Sequence, residues 1–214
     1  MEDRVKEDIL EQLVDDYLKF NGFFTAHNVK FKPAQADPDY SKQSDCVASD
    51  IDVMGFHPMR QGANRVWVVG CKSWQSGFDP EERIAAIEKG KIREGREAWK
   101  SFRELAKSKW ADALVAEVMR LTGSSEFTYV TAVAKLTGDA SAWERYEPFR
   151  EKLHGNPIKI LTLKEILSDL DKKISTTVSS SQVGRLLQVM KASGWKPEPQ
   201  PPKTRNLRSP ISPA

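Results

Sequence analysis

The chain has 214 residues with 39% hydrophobic and 29% charged residues, which is typical of one globular domain and excludes a disordered chain, a collagen-like repeat or a disulfide-stapled miniprotein. Residues 196–214 carry four basic residues and one glutamate, which account for the whole formal net charge of +3, so bulk charge does not indicate a nucleic-acid partner. The sequence shows neither a signal peptide nor a membrane-length apolar stretch, and its two cysteines exclude a Cys-rich zinc site, so we expect a reducing, cytoplasmic environment.

Hydrophobic spacing predicts a helix followed by three strands in the N-terminal part of the chain. Apolar residues at helical spacing predict an amphipathic helix over residues 3–20. Strands are predicted over residues 23–31, 48–56 and 65–72, because apolar and β-branched residues cluster there between turn residues. Residues 33–45 contain two prolines among polar residues and are predicted to form a loop.

The C-terminal part is predicted to alternate helices with two further strands. Residues 80–121 are charged with helical spacing, and the elements expected after them are a strand at 127–134, a helix at 142–153, a strand at 158–162, and helices at 163–174 and 182–192. Six of the twelve prolines lie in residues 196–214, which cannot build a core. This order predicts an α/β sandwich with a mixed sheet.

The second and third predicted strands carry the residue types of phosphodiester hydrolysis. Asp52 lies in the second strand, and Lys72 ends the third. A carboxylate holds a hard divalent cation through oxygen, and a lysine beside it can orient an attacking water or stabilise transition-state charge. Strand alternation is expected to place Asp50 and Asp52 together on a wet face. Ile51 and Val53 would then share the buried face.

At these positions the sequence resembles the PD-(D/E)XK, or restriction-endonuclease-like, nuclease superfamily. In that superfamily a catalytic Asp ends one strand and (Asp/Glu)-x-Lys ends the next, and Asp52 and Lys72 match the Asp and the Lys. Some branches carry a metal-supporting Glu in the first helix shortly before a Tyr-Leu pair, and Glu11 precedes Tyr17-Leu18 by six residues. Gln75 lies where some branches place a polar residue just after the lysine.

Gly70 departs from this pattern, because it stands where the superfamily has its second acid. Glycine offers no ligand atom, so its presence should weaken metal binding. In one explanation an acid of the following helix has taken over this role. In another, Glu11 and Asp50 suffice together with Asp52, and in a third Gly70 disables the site, by evolution or by deliberate mutation. The candidates for a relocated acid are Glu81, Glu82 and Glu88.

A basic segment lies within the predicted helical block. Residues 83–109 contain nine basic residues against four glutamates. In a continuous helix, several of these cations would step by three or four residues and form one stripe facing a phosphate backbone. The alternative is a solvated helix face with Glu–Lys and Glu–Arg pairs. The residues expected to contact DNA are Lys89, Arg93, Arg96 and Lys100.

The resemblance implies an αβββαβ restriction-endonuclease-like sandwich with a mixed sheet, a helical insertion after the third strand and a C-terminal helical element. Residues 1–174 would form the nuclease-like domain, and residues 196–214 a Pro-rich flexible tail. Between them, residues 175–195 would form a C-terminal helix that is either part of a helix-turn-helix element or a dimer contact.

The function implied by the resemblance is that of a metal-dependent DNA endonuclease with Mg²⁺ or Mn²⁺ as cofactor and DNA as partner. The setting would be restriction, repair or phage defence. Asp52, Lys72, Glu11 and Gln75 would be catalytic, and Asp52 and Glu11 would hold the metal. A two-fold homodimer would suit double-strand cutting. The alternative is a catalytically silent nuclease-like module that binds DNA or a partner protein.

Overall fold

A computed structural model of the chain describes residues 8–93, 95–174, 179 and 181–194. Its N-terminal part begins with a helix capped by the side chain of Asp8, which accepts a hydrogen bond from the backbone of Leu10. Three strands and one short helix follow. The elements in chain order are α1 (Ile9–Phe20), β1 (Phe24–Phe31), α2 (Lys42–Asp45), β2 (Ser49–Phe56) and β3 (Val66–Lys72).

An insertion of mixed structure follows β3. It contains a small hairpin between two helical parts, and a 3-10 turn at Ala98–Ser101 leads from this hairpin towards the longest helix. That helix ends at Gly123, whose φ of 71° suits glycine at a helix C-terminus. The elements are α3 (Pro80–Glu88), β4 (Ile92–Arg93), β5 (Arg96–Glu97), α4 (Arg103–Ala106) and α5 (Ser108–Thr122).

The remaining elements complete the sheet and cover it. Every residue of β6 is buried, as expected of a central parallel strand. The helix α8 begins with a capping box formed by Thr162 and Glu165. The elements are β6 (Thr128–Val133), α6 (Ala140–Glu144), α7 (Glu147–Lys152), β7 (Ile158–Thr162), α8 (Leu163–Lys173) and α9 (Gln182–Ala192).

The protein is an α/β protein with a five-stranded mixed sheet of order β1-β2-β3-β6-β7. The pairs β1–β2 and β2–β3 are antiparallel, whereas β3–β6 and β6–β7 are parallel. One apolar cluster joins the sheet to α1 and α8, and the other joins it to α4, α5 and the short helices. In the described part of the chain, no helix is long and apolar enough to cross a membrane.

The expected alternation of faces along β2 is wrong at Asp52. Ile51 belongs to the apolar cluster on the α5 side, whereas Val53 belongs to the cluster on the α1 side. The register pairs His27 with Val53 and Val29 with Ile51, which places Asn28 opposite Asp52. Asn28 has a left-handed φ of 51°. The two strands therefore change face together at this point, and a strictly alternating pattern cannot continue through it.

The predicted helical block is interrupted within the basic segment, so the prediction of one basic stripe on a helix is wrong. The chain leaves α3 after Glu88, forms the β4–β5 hairpin, and regains α-helix only at Arg103. Gly90 and Gly95 have φ values of 58° and 77°, which are left-handed conformations that break a helix. The basic residues of this segment therefore do not form one stripe.

Two further predictions need correction in detail. The predicted loop before β2 contains the short helix α2, and the predicted helix near residues 142–153 is divided into α6 and α7. Residues 1–7, the linker 175–178 and the Pro-rich tail lie outside the described residues.

The C-terminal helix α9 docks on α1 through a buried carboxylate. Asp16, which is 1% exposed, accepts hydrogen bonds from the hydroxyls of Ser179 at 2.8 Å and Ser181 at 2.5 Å. Ser181 also caps α9 through the backbone of Gly184. A Cβ on Gly184 would lie only 2.0 Å from Ser179 Oγ and 2.2 Å from Asp16 Oδ2. Glycine is therefore required here for the close approach of the two helices.

Candidate active site

The strands β2 and β3 separate at the end of the sheet where the predicted catalytic residues lie. Their backbone ladder ends at the pair Val53–Val69. At the next position the Asp52 side chain takes the place of a backbone partner, since its Oδ2 accepts the Cys71 N–H at 2.5 Å. A cleft of about 320 Å³ opens between the two strand ends. Both Asp52 and Lys72 line it, so the structure brings the predicted acid and amine to one cavity.

Asp52 is half-buried in this cleft. Burial raises its pKa, and the charge of Lys72 and the Cys71 N–H act in the opposite direction. The ammonium group of Lys72 lies 5.4 Å from the centre of the Phe102 ring. Among the described residues, no carboxylate lies within 4.0 Å of this ammonium group. Lys72 is therefore held by packing on an aromatic ring and not by a close ion pair.

Glu11 lies in the first turn of α1 and is not among the residues that line the cleft. Asp8 holds that end of α1 beside β3, because its carboxylate accepts a hydrogen bond from Ser73 Oγ at 2.7 Å. Burial and the repulsion of Asp52 and other acids raise the pKa of Glu11 to about 7, although Lys72 acts to lower it. The structure thus brings Glu11 into the electrostatic environment of Asp52 and Lys72.

Gly70 lies in the cleft beside a tyrosine of the neighbouring strand. A Cβ at Gly70 would lie 3.2 Å from the hydroxyl oxygen of Tyr129, and no other described atom outside its two chain neighbours would be within 4 Å. That hydroxyl donates a short hydrogen bond to Glu104 of α4. Burial raises the pKa of Glu104. The hydrogen bond from Tyr129 and the charge of Lys72 act to lower this pKa, and the charge of Asp52 acts to raise it. The hydroxyl of Tyr129 therefore lies beside Gly70 and is hydrogen-bonded to the Glu104 carboxylate on the opposite wall of the cleft.

The acids expected to replace the missing one lie elsewhere. Glu82 forms a short ion pair with Arg93, and Glu88 accepts a short hydrogen bond from Tyr146. Glu81 is exposed on α3. None of these three lines the cleft. Asp50 does line it, but its carboxylate is paired with Lys30 of β1 at 2.7 Å.

The remaining predicted residues divide between the cleft and its surroundings. Arg96 and Lys100 line the cleft, whereas Lys89 is exposed at the end of α3. Arg93 is engaged by Glu82, and Gln75 is exposed in the turn after β3, outside the cleft lining. The thiol of Cys71 is half-buried, and burial and nearby acids raise its pKa well above the usual value, so it is not an activated nucleophile.

Sequence reasoning missed Glu104 and Tyr129. Glu104 lies within the segment predicted to be helical and basic, where a single glutamate has no distinguishing pattern. Tyr129 reaches the cleft because the parallel register pairs it with Val68, two residues before Gly70. No local sequence signal marks either residue as part of the site, since both reach it through long-range pairing.

The residues fit a divalent cation only as a partial set. Within the described part of the chain, no three His, Cys, Asp or Glu side chains are close enough together to hold a metal ion as they stand. Mg²⁺, however, is commonly bound by one or two carboxylates with waters and substrate phosphates completing its shell. Asp52 and Glu104 line the same cleft, and the charge of Asp52 acts on Glu11, so these three carboxylates are the candidates for such a partial set.

Comparisons of the chain with protein-family models, curated proteins and solved structures found no match.

Proposed function

We propose that the protein is a metal-dependent nuclease that hydrolyses phosphodiester bonds in DNA. The observation that carries the proposal is the opening of Asp52 and Lys72 onto one cleft, formed where β2 and β3 separate. The element order also supports it, because α1, β1–β3, the helical insertion and β6 follow the αβββαβ order of the PD-(D/E)XK superfamily that the sequence resembles.

In this proposal the charged residues in and beside the cleft have defined tasks. Asp52, together with Glu11 or Glu104, would hold Mg²⁺ or Mn²⁺, which would supply a polarised phosphoryl oxygen and an acidic water. Lys72 would hold the attacking water and stabilise the negative charge that develops on the phosphate. Tyr129 would orient the Glu104 carboxylate through its hydroxyl, in the space that Gly70 leaves open. Of the three explanations for Gly70, this arrangement favours a relocated acid, supplied by α4 and not by α3.

The alternative function is a catalytically silent module that binds DNA or a partner protein. The observation that favours it is the absence, in the described residues, of three ligating side chains gathered for a metal. This module would bind DNA with a steep dependence on salt but would not cut it.

Plasmid cleavage separates the two functions. Supercoiled plasmid is incubated with the protein and Mg²⁺ or Mn²⁺, alongside Lys72→Ala and Asp52→Asn. We expect the wild type to nick or linearise the plasmid and each variant to lose about 100-fold or more in rate. Lys172→Ala serves as the control, because Lys172 is an exposed cation on α8, which covers the opposite side of the sheet. Equal rates for the wild type and Lys72→Ala would reject the proposal.

A further inference from the structure

The wall of the cleft opposite β2 and β3 carries two cations beside the carboxylate of Glu104. Arg96 of β5 and Lys100 of the following 3-10 turn line the cleft together with Asp52 and Lys72. Arg96 lies directly across the hairpin from Arg93. Like charges in such cross-strand pairs repel each other. An anion held between this wall and Lys72 would relieve that repulsion.

Among the described residues, Arg93 has a carboxylate partner and Arg96 has none within 4.0 Å. Glu82 neutralises Arg93. Arg96 is exposed, and among the described residues no carboxylate lies within 4.0 Å of its guanidinium group. Lys100 is paired with Glu97 at 3.1 Å in a partly exposed ion pair, which is weak in water. Arg96 is therefore the residue of this wall that is placed to bind a phosphate.

The aromatic rings around the cleft are covered by cations or packed together. Trp74 stacks on Phe78 and carries the Arg83 guanidinium 4.0 Å from its ring centre. The amines of Lys100 and Lys107 lie 5.7 and 5.2 Å from the Trp99 ring centre. In the described part of the chain, Phe24 is the one aromatic residue among the exposed large hydrophobic side chains, and it does not line the cleft.

Single-stranded nucleic acids are generally bound by stacking their bases on exposed aromatic rings, whereas duplexes are gripped through their phosphates. We propose that the substrate of this site is double-stranded DNA held by its backbone, with Arg96 on the β4–β5 hairpin binding a phosphate across the cleft from Lys72. The substrate class rests on the proposed nuclease function, but the grip on the duplex can be measured without cleavage.

The test measures binding of the full-length protein in EDTA, where no cleavage occurs. A fluorescein-labelled 30-base-pair duplex and one of its single strands are titrated by fluorescence anisotropy at several salt concentrations. We expect the duplex to bind at least about tenfold more tightly than the single strand. Because each phosphate contact adds about 0.9 to the salt slope, Arg96→Gln should reduce that slope by about 0.9 and weaken duplex binding about eightfold at 0.1 M salt.

The control is Lys172→Gln, which removes a cation from the opposite side of the sheet and should leave affinity and slope unchanged. Circular dichroism checks that both variants are folded. Tighter binding of the single strand, or unchanged affinity and slope in Arg96→Gln, would overturn the inference. Plasmid cleavage separates this result from the nuclease proposal. If the duplex binds as expected but the plasmid is not hydrolysed, only the nuclease proposal is rejected. If the plasmid is hydrolysed but Arg96→Gln binds the duplex like the wild type, only the proposed phosphate contact of Arg96 is rejected.

Discussion

The Tyr129 hydroxyl lies beside Gly70 and donates a hydrogen bond to Glu104. This contact leads to a prediction about which residue supplies the second acid. If α4 supplies it, replacing Glu104 by glutamine should abolish most of the cleavage. If Gly70 instead disables the site, restoring an acid there should create activity. The two explanations therefore predict opposite effects for the substitutions Glu104→Gln and Gly70→Glu, and both can be measured in one set of assays.

The sizes of these effects follow from the geometry. Glu104→Gln keeps the side-chain shape and an oxygen that can accept from Tyr129, but it removes the charge. We expect cleavage to fall about 100-fold, or about 2.7 kcal/mol of transition-state stabilisation. A Cβ at Gly70 lies 3.2 Å from the Tyr129 hydroxyl, a few tenths of an ångström inside ordinary contact. Gly70→Ala should therefore cost less than about 1 kcal/mol of stability, whereas Gly70→Glu must displace the Tyr129–Glu104 hydrogen bond and should lower activity.

The assay is the initial rate of plasmid nicking as a function of Mg²⁺ concentration, with thermal unfolding as the check on stability. Glu81→Gln is the matched control, because Glu81 is exposed on α3 and outside the cleft. The double variant Gly70→Glu with Glu104→Gln should be more active than the product of the two single effects, since the new acid then replaces the lost one. Higher activity in Gly70→Glu, together with an unaffected Glu104→Gln, would refute the relocation of the acid to α4.

Three further predictions concern the metal, the fold and the C-terminal helix. Mn²⁺ at about 100 times its dissociation constant should stabilise the wild type by about 2.7 kcal/mol, which raises Tm by roughly 5 to 10 °C. Asp52→Asn should lose this increase in Tm. An equal increase in both proteins would exclude Asp52 as a ligand. Asp45 is fully buried and accepts from Lys109 at 2.6 Å and Trp110 at 3.2 Å, so Asp45→Ala should cost about 3 to 5 kcal/mol in denaturant unfolding. Burial alone would raise the pKa of Asp45, but the hydrogen bonds from Lys109, Ser41 and Ser44 outweigh it and lower the pKa to about 2. Its stabilisation is therefore present above about pH 4 and lost as the pH falls towards 2, and acid unfolding that is identical in Asp45→Asn would contradict this. Helix propensity alone predicts that Gly184→Ala stabilises α9 by about 1 kcal/mol. The clash of the new Cβ with Ser179 and Asp16 instead predicts that the free energy of unfolding falls by about 1 to 3 kcal/mol. A stabilised variant in chemical unfolding would show that α9 does not dock on α1 as described.

The five strands of the main sheet could be read from the sequence, and the α/β architecture followed from their order. Clusters of apolar and β-branched residues between turn residues are local signals, so β1, β2, β3, β6 and β7 lie within a residue or two of their predicted bounds. The meeting of Asp52 and Lys72 was also predictable, because one strand follows the other after a short turn. The hairpin at β4–β5 was not, since the helical spacing of its cations outweighed the two glycines in the pattern.

The sequence by itself determined which residue types the chain could bring to a phosphate: an acid on one strand and a lysine ending the next. Only the tertiary structure decided how the cleft is completed. The change of face at Asp52 depends on the left-handed Asn28 across the β1–β2 ladder. The carboxylate of Glu104 reaches the cleft through Tyr129, which comes from a strand more than fifty residues after Gly70. Such contacts depend on strand register and on the packing of distant segments, and a local sequence pattern contains neither.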